Sequence, residues 1–307
     1  MFMLDPSTQS SRRSESGGAN SVTGGLLLLL RPKQWTKNLL LFAALLFSYE
    51  KISPRTAGET LLGFLIFCLV AGCVYILNDV ADRERDRAHP VKCRRPIASG
   101  RVGAGQAAAF GGILLLLSLT ASFWLNPLFG ALCVIYFAIN TAYSFALKHV
   151  VILDVMTVAA GFVLRAIAGG VLIDVPFTPW FLLCTLLLSL FLAIGKRRHE
   201  LVLLRQDTGS HRKVLDRYSI VLLDQMNTIV TTGAIISYSL FTFTSGRSIH
   251  LMWTIPLVVY GMFRYLYLIH IENKGGSPDK VLFEDKPILM TVALYAISVV
   301  CIFAFLE

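Results

Sequence analysis

Asn78-Asp79-Val80-Ala81-Asp82-Arg83-Glu84-Arg85-Asp86 closes the uncharged apolar run Leu61–Leu77. A run of that length reads as a membrane-spanning helix, and acids at its mouth read as functional. Asn78, Asp82 and Asp86 recur every four residues, and Asp79 stands three before Asp82. On one continuous helix all four share a face. Like charges on one face repel unless a cation sits among them. Hard oxygen ligands select Mg²⁺, which keeps waters and bridges carboxylates to phosphates. The plainer alternative is a solvated helix end whose acids pair with Arg83, Arg85 and Arg87. Against it, those arginines lie off the acid face and the strip begins inside the apolar run. The metal set is therefore Asn78, Asp79, Asp82 and Asp86.

Just downstream, His89-Pro90-Val91-Lys92-Cys93-Arg94-Arg95-Pro96-Ile97-Ala98-Ser99-Gly100 adds cations. A metal with Lys92 and Arg95 beside it is equipment for a diphosphate or phosphate ester. The whole chain fits a membrane setting. Of its 307 residues, 55% are hydrophobic and only 15% charged. That composition excludes a soluble cytosolic enzyme, a disordered chain and a secreted disulfide scaffold. The net charge of +9 points to a membrane surface and lipid rather than nucleic acid. None of the six cysteines forms a CxxC pair, and five lie in apolar runs, so they read as core packing.

Nine spans are expected, near 33–49, 59–80, 104–125, 128–147, 153–173, 178–196, 219–243, 250–270 and 286–306. The class is an all-α membrane protein. Residues 1–24 read as a disordered cytoplasmic tail and 25–307 as one transmembrane domain. Lys and Arg partition between alternate junctions. Five fall in 12–37, seven in 83–101, one at Lys148, seven in 196–217 and three in 274–286. The opposite junctions hold only Lys51, Arg55 and Arg247. The positive-inside rule places the N-terminus and the acidic loops in the cytoplasm and the C-terminus outside, for a multi-pass protein of the cell membrane.

Other polar groups sit at the same mouth. Asp154 and Arg165 are eleven residues, about three turns, apart on one face of the fifth span, with Gly161 between them. They read as an ion pair, or as a second metal ligand and a deeper phosphate contact. Lys148 stands at the cytoplasmic mouth after the fourth span, with Tyr143 about one turn before it. Lys196 and Arg197 end the sixth span four and three residues before Glu200. Lys148, Lys196 and Arg197 suit a sugar phosphate. Lys33 and Lys37, one turn apart, either snorkel to headgroups or hold a lipid phosphate. Asp224 is expected to pair with Arg217.

With those residues in place, the chain resembles the UbiA superfamily of membrane prenyltransferases. Asn78, Asp79, Asp82 and Asp86 match its NDxxDxxxD motif, and Pro96-Ile97-Ala98-Ser99-Gly100 matches the continuation. Within the superfamily, it is most similar to the branch that passes phosphoribose to a polyprenyl phosphate. Arg31-Pro32-Lys33-Gln34-Trp35-Thr36-Lys37-Asn38, the stretch from Tyr143 to Gly170 and Gly195–Leu201 carry that similarity. Aromatic-acceptor members show a second DxxxD-like pair or a YPxxKR run. Here Val158 stands four after Asp154, and Tyr143 to Lys148 is one residue longer than that run.

The resemblance implies a nine-helix bundle and a Mg²⁺-dependent transfer from 5-phosphoribosyl 1-diphosphate, releasing diphosphate. It implies Asp79, Asp82, Asp86 and Asp154 as the catalytic acids. The donor would meet Lys92, Arg95, Tyr143, Lys148, Lys196 and Arg197. The lipid phosphate would meet Lys33, Lys37 and Arg165. The runner-up is a prenyl group moved from its diphosphate to an aromatic acceptor. A transporter is the reading from another class, disfavoured because the acids lie at one end of the spans and no inverted repeat stands out. Self-association into a homo-oligomer is left open.

Overall fold

The computed structural model describes residues 22–48, 51–175, 178–206, 214–246, 248–272, 274–276 and 278–306. Residues 1–21 of the expected tail lie outside the described residues, as do Arg212, Lys213 and Arg247. Every regular element among the described residues is helical. Eight helices are long and apolar enough to cross a membrane: Pro54–Ala81, Ala104–Leu125, Pro127–Phe145, Leu153–Leu172, Pro179–Leu203, Ile220–Thr244, Ile249–His270 and Lys286–Phe305. They correspond to the second through ninth expected spans.

The first expected span folds differently. Helix α1 (Val22–Leu29) starts inside the stretch expected to be tail, and the chain then breaks at Arg31, with φ 49° and ψ 63°. A 3₁₀ helix follows over Pro32–Phe42, then one α turn, α2 (Ala43–Leu46). Eleven 3₁₀ residues are unusual, because the geometry is poorer than that of the α-helix. Packing sustains it. Asn38 and Leu41 are buried at three-residue spacing, the period of a 3₁₀ helix, and Ala44 on the α turn that follows continues it. A Cβ on Gly169 would run into the Leu41 carbonyl, so only glycine admits this approach.

Helix α3 (Pro54–Ala81) starts at a capping box between Ser53 and Thr56. Its 28 residues make it roughly 42 Å long, against a hydrocarbon core of about 30 Å. The excess carries Asp79 to the bundle's end. A short α4 (Arg83–Arg87) follows. Helices α5 (Ala104–Leu125) and α6 (Pro127–Phe145) form a tight hairpin through Asn126, whose side chain accepts from the Leu128 and Phe129 N–H groups. Then come α7 (Leu153–Leu172), α8 (Pro179–Gln206) and α9 (Ile220–Thr244). A 3₁₀ turn (Ile249–Thr254) leads into α10 (Ile255–His270), and α11 (Pro278–Glu284) precedes α12 (Lys286–Phe305).

The core is divided. Phe67, Val70, Phe129 and Tyr136 join α3, α6, α7 and the 3₁₀ helix. Phe191, Ile194, Leu223 and Leu268 join α8, α9 and α10. Apolar side chains such as Trp124, Ile113 and Ile229 point outward, as lipid-facing residues must. All six cysteines are free, and Cys68, Cys73 and Cys133 are buried.

Candidate active site

The acid strip does not lie on one helix face. Helix α3 ends at Asp82, where φ is −95° and ψ 8°, so Asp79 and Asp86 sit on successive helices. The break turns the two carboxylates toward each other. Arg95 Nη1 lies 2.9 Å from Asp79 Oδ1 and 2.6 Å from Asp86 Oδ2. Arg31 Nη2 adds a contact of 2.5 Å to Asp79 Oδ1, and its guanidinium rests over the Tyr75 ring. Both acids are buried, so these guanidiniums offset a charge that would be costly alone. Asp82 points elsewhere, 3.5 Å from Lys148 Nζ and 3.5 Å from Arg85 Nη1. Asn78 is half-buried on the last turn of α3.

A second network stands behind Lys148. Asp154, in the first turn of α7, is fully buried. It accepts from Arg197 Nε at 2.7 Å on Oδ2 and from the Tyr218 hydroxyl at 2.7 Å on Oδ1. Arg197 also donates to Glu200 at 2.7 Å and to the Tyr143 hydroxyl at 3.2 Å. Burial, with Asp154 accepting its proton, pushes the Tyr218 phenol well above its ordinary pKa. Ile152, at the start of α7, has φ 71° and ψ −47°. A β-branched residue there is strained by about 1–3 kcal/mol.

Arg165 does not pair with Asp154. It is buried and donates to Asn38 Oδ1 at 2.7 Å, to the Gly161 carbonyl at 2.8 Å and to the Tyr136 hydroxyl at 2.7 Å. Phe67, Phe162 and Tyr136 rings surround it. That cage ties α7 to the 3₁₀ helix and α6. The expected lipid-phosphate role of Arg165 and the expected metal role of Asp154 thus meet side chains already turned inward. Asp224 pairs with Arg198 at 2.6 Å rather than with Arg217.

Residues 39–284 match the UbiA prenyltransferase family. The chain belongs to the UbiA prenyltransferase family. It is 35% identical over 285 residues to decaprenyl-phosphate phosphoribosyltransferase of Mycolicibacterium smegmatis, covering 88% of this chain and 90% of that one. The Corynebacterium glutamicum protein of the same name is 36% identical, with 89% and 85% covered. A UbiA homolog from Archaeoglobus fulgidus, solved bound to GPP and Mg²⁺, shares the fold. Its TM-score is 0.69 at 20% identity, over 91% of this chain and 99% of that one. The protein is therefore a multi-pass membrane transferase of this family.

Within this UbiA-family site, the donors present suit a hard cation of a particular kind. Asp79 and Asp86 both turn an oxygen to Arg95 Nη1, at 2.9 and 2.6 Å, so a cation held between them would take the place of that guanidinium. Among the described residues no three His, Cys, Asp or Glu side chains close on a common ion position. Two carboxylates completed by water and phosphate oxygens is the usual habit of Mg²⁺. Lys33 and Lys92 are exposed, and Lys37 and Lys196 half-buried. Sequence reasoning missed Arg31 and Tyr218 as site members. Arg31 carried one local sign, a proline after it; Tyr218 reaches Asp154 from 64 residues away and carried none.

Proposed function

We propose that the protein transfers 5-phosphoribose from 5-phosphoribosyl 1-diphosphate to a polyprenyl phosphate, releasing diphosphate. One observation carries this reading. Asp79, Asp82 and Asp86 meet Arg31, Arg95 and Lys148 at one end of a lipid-facing bundle. Near-full-length identity to decaprenyl-phosphate phosphoribosyltransferases supports the choice of donor and acceptor.

In this reading, Asp79 and Asp86 hold Mg²⁺, with Asn78 and Asp82 beside them. When bound, Mg²⁺ supplies charge neutralisation for the departing diphosphate. Arg95 and Lys92 grip diphosphate oxygens, while Lys148, Lys196, Arg197 and Tyr143 face the 5-phosphate. As the C1–O bond breaks, C1 takes on oxocarbenium character, and the acceptor phosphate attacks it. That phosphate is already ionised at neutral pH, so no general base is needed. Lys33 and Lys37 steady the acceptor headgroup, and its tail lies among the apolar helices. Asp154 and Arg165 act from behind, holding Arg197 and the 3₁₀ helix.

Membrane geometry follows the same reading. Pro32–Leu46 spans about 28 Å, from 2.0 Å per 3₁₀ residue and 1.5 Å per α residue, just short of the roughly 30 Å hydrocarbon core, and we take it as a ninth crossing. The site faces the cytoplasm, where an anionic donor is dissolved, within a domain running from about residue 25 to 307.

The test is purified protein with Mg²⁺, polyprenyl phosphate and radiolabelled donor, with the lipid product weighed by mass spectrometry. A phosphoribosyl lipid is expected, lost on chelation. Asp79→Asn should lower kcat by about 10²-fold. No labelled lipid, together with prenylation of hydroxybenzoate from a prenyl diphosphate, would replace this reading with the aromatic one.

A further inference from the structure

We propose that Tyr218 is a positioning residue for this site. Its hydroxyl fixes the turn before α7, the segment that brings Lys148 to Asp82 and Asp154 to Arg197. The proposal rests on the reading above in one respect, that Lys148 and Arg197 meet the donor.

The Tyr218 hydroxyl does two things at once, as a phenol can with one proton and two lone pairs. It accepts the Ile152 N–H at 2.7 Å and donates to Asp154 Oδ1 at 2.7 Å. Ile152 holds φ 71° and ψ −47°, a backbone setting that its β-branched side chain disfavours. Side-chain packing is a weak constraint there, because Ile152 is 47% exposed. Hydrogen bonds hold it at both ends: its carbonyl accepts the Val155 and Met156 N–H groups of the first turn of α7, and among the described residues its N–H is held by Tyr218 alone. A strained backbone persists only where its surroundings over-determine it, and such places gather at functional sites.

The strained turn has leverage on both networks. Lys148 lies in the 3₁₀ turn Leu147–His149, four residues before Ile152, and reaches Asp82. Asp154 lies two residues after it and holds Arg197. Tyr218 itself is buried, and its ring is fixed in the apolar cluster with Phe191 and Leu215. A rigid anchor outside the segment therefore sets the direction in which the segment leaves α6 and enters α7. Removing the hydroxyl releases the Ile152 N–H and lets the turn relax toward ordinary φ. Lys148 and Asp154 then lose their common reference.

The experiment uses the full chain in lipid nanodiscs. Tyr218→Phe keeps the ring and removes both bonds. Amide exchange in peptides covering 147–154 is expected to rise about tenfold, with the rest of the bundle unchanged. KM for 5-phosphoribosyl 1-diphosphate should rise about tenfold, and kcat less, since the reacting atoms are untouched. Ile152→Gly supplies the second arm, because glycine takes positive φ freely. Ile152→Gly alone should leave Tm within about 2 °C of wild type or above it. In that background Tyr218→Phe should change KM by less than about threefold. Exchange in 147–154 within about twofold of wild type after Tyr218→Phe would overturn the proposal. So would an equal cost in both backgrounds, or a Tm fall of more than about 5 °C for Ile152→Gly. If wild-type protein forms no phosphoribosyl lipid, the functional reading fails alone, and amide exchange still decides the role of Tyr218.

Discussion

Arg165 is a buried cation whose hydrogen-bond partners among the described residues are neutral. Its three hydrogen bonds go to an amide, a carbonyl and a phenol, and three aromatic rings flank it. The planar fork of arginine suits that cage, whereas a lysine ammonium cannot meet three fixed acceptors in a plane. Arg165→Leu should lower stability by about 2–4 kcal/mol by stranding those acceptors, and Arg165→Lys should recover little of it. Thermal unfolding in detergent measures both; wild-type Tm for either variant would refute the cage. At this scale the sequence spoke unevenly. Asp79 and Asp86 announced themselves, because acids at three- and four-residue spacing, here through Asp82, are costly at the end of an apolar run unless they bind something. Arg165 drew attention for its charge, but spacing on its own helix suggested Asp154. Its actual partner Asn38 lies 127 residues away, where no local pattern points.

At the scale of elements, the 3₁₀ helix depends on how closely it lies against α7. Gly169→Ala would drive a Cβ into the Leu41 carbonyl, and backbone cannot rotate away as a side-chain tip can. A loss of about 1–3 kcal/mol is expected. Gly112→Ala is the control, since nothing lies within 4 Å of that Cβ and alanine is the better helix former. Its Tm should hold or rise.

Asp285 joins two elements, capping α12 through the Ile288 N–H at 3.0 Å and binding Arg264 at 2.8 Å. Arg264 holds its carboxyl below the usual carboxylate range. A depressed folded-state pKa means stabilisation that is complete above the unfolded value, about 3.9. It drains away as pH falls through the lower folded value. Asp285→Asn should therefore lower Tm at pH 7 and converge with wild type in acid. Parallel curves down to low pH would remove the ion-pair contribution. The longer helices were legible from apolar length alone. The 3₁₀ stretch was not, because a mostly apolar segment resembles an α-helix unless the three-residue spacing of Asn38, Leu41 and Ala44 is weighed against tertiary closeness.

For the whole molecule, charge asymmetry sets the expectation for orientation. The junctions assigned to the cytoplasm carry most of the 28 Lys and Arg residues. A phosphatase reporter fused after residue 307 should be active outside the cell, and one fused before residue 1 inactive. The reverse pattern would turn the site outward, away from any cytosolic donor. Eight long helices and the site's place at one end of the bundle were readable from hydropathy and charge. The way separate helix ends interlock there was not, since Arg31, Arg95, Lys148 and Tyr218 come from four separate connections.

The tight winding of Pro32–Phe42 makes its length a matter of phase. Arg31 is pinned to Asp79 at one end and Asn38 to Arg165 further in. Along a 3₁₀ rod each residue adds about 120° of rotation and about 2.0 Å of advance. A chain shortened by one residue between those pins could satisfy either of them but not both. The segment works as a keyed shaft: its length sets the phase between the buried Asn38–Arg165 contact and the Arg31–Asp79 contact at the mouth.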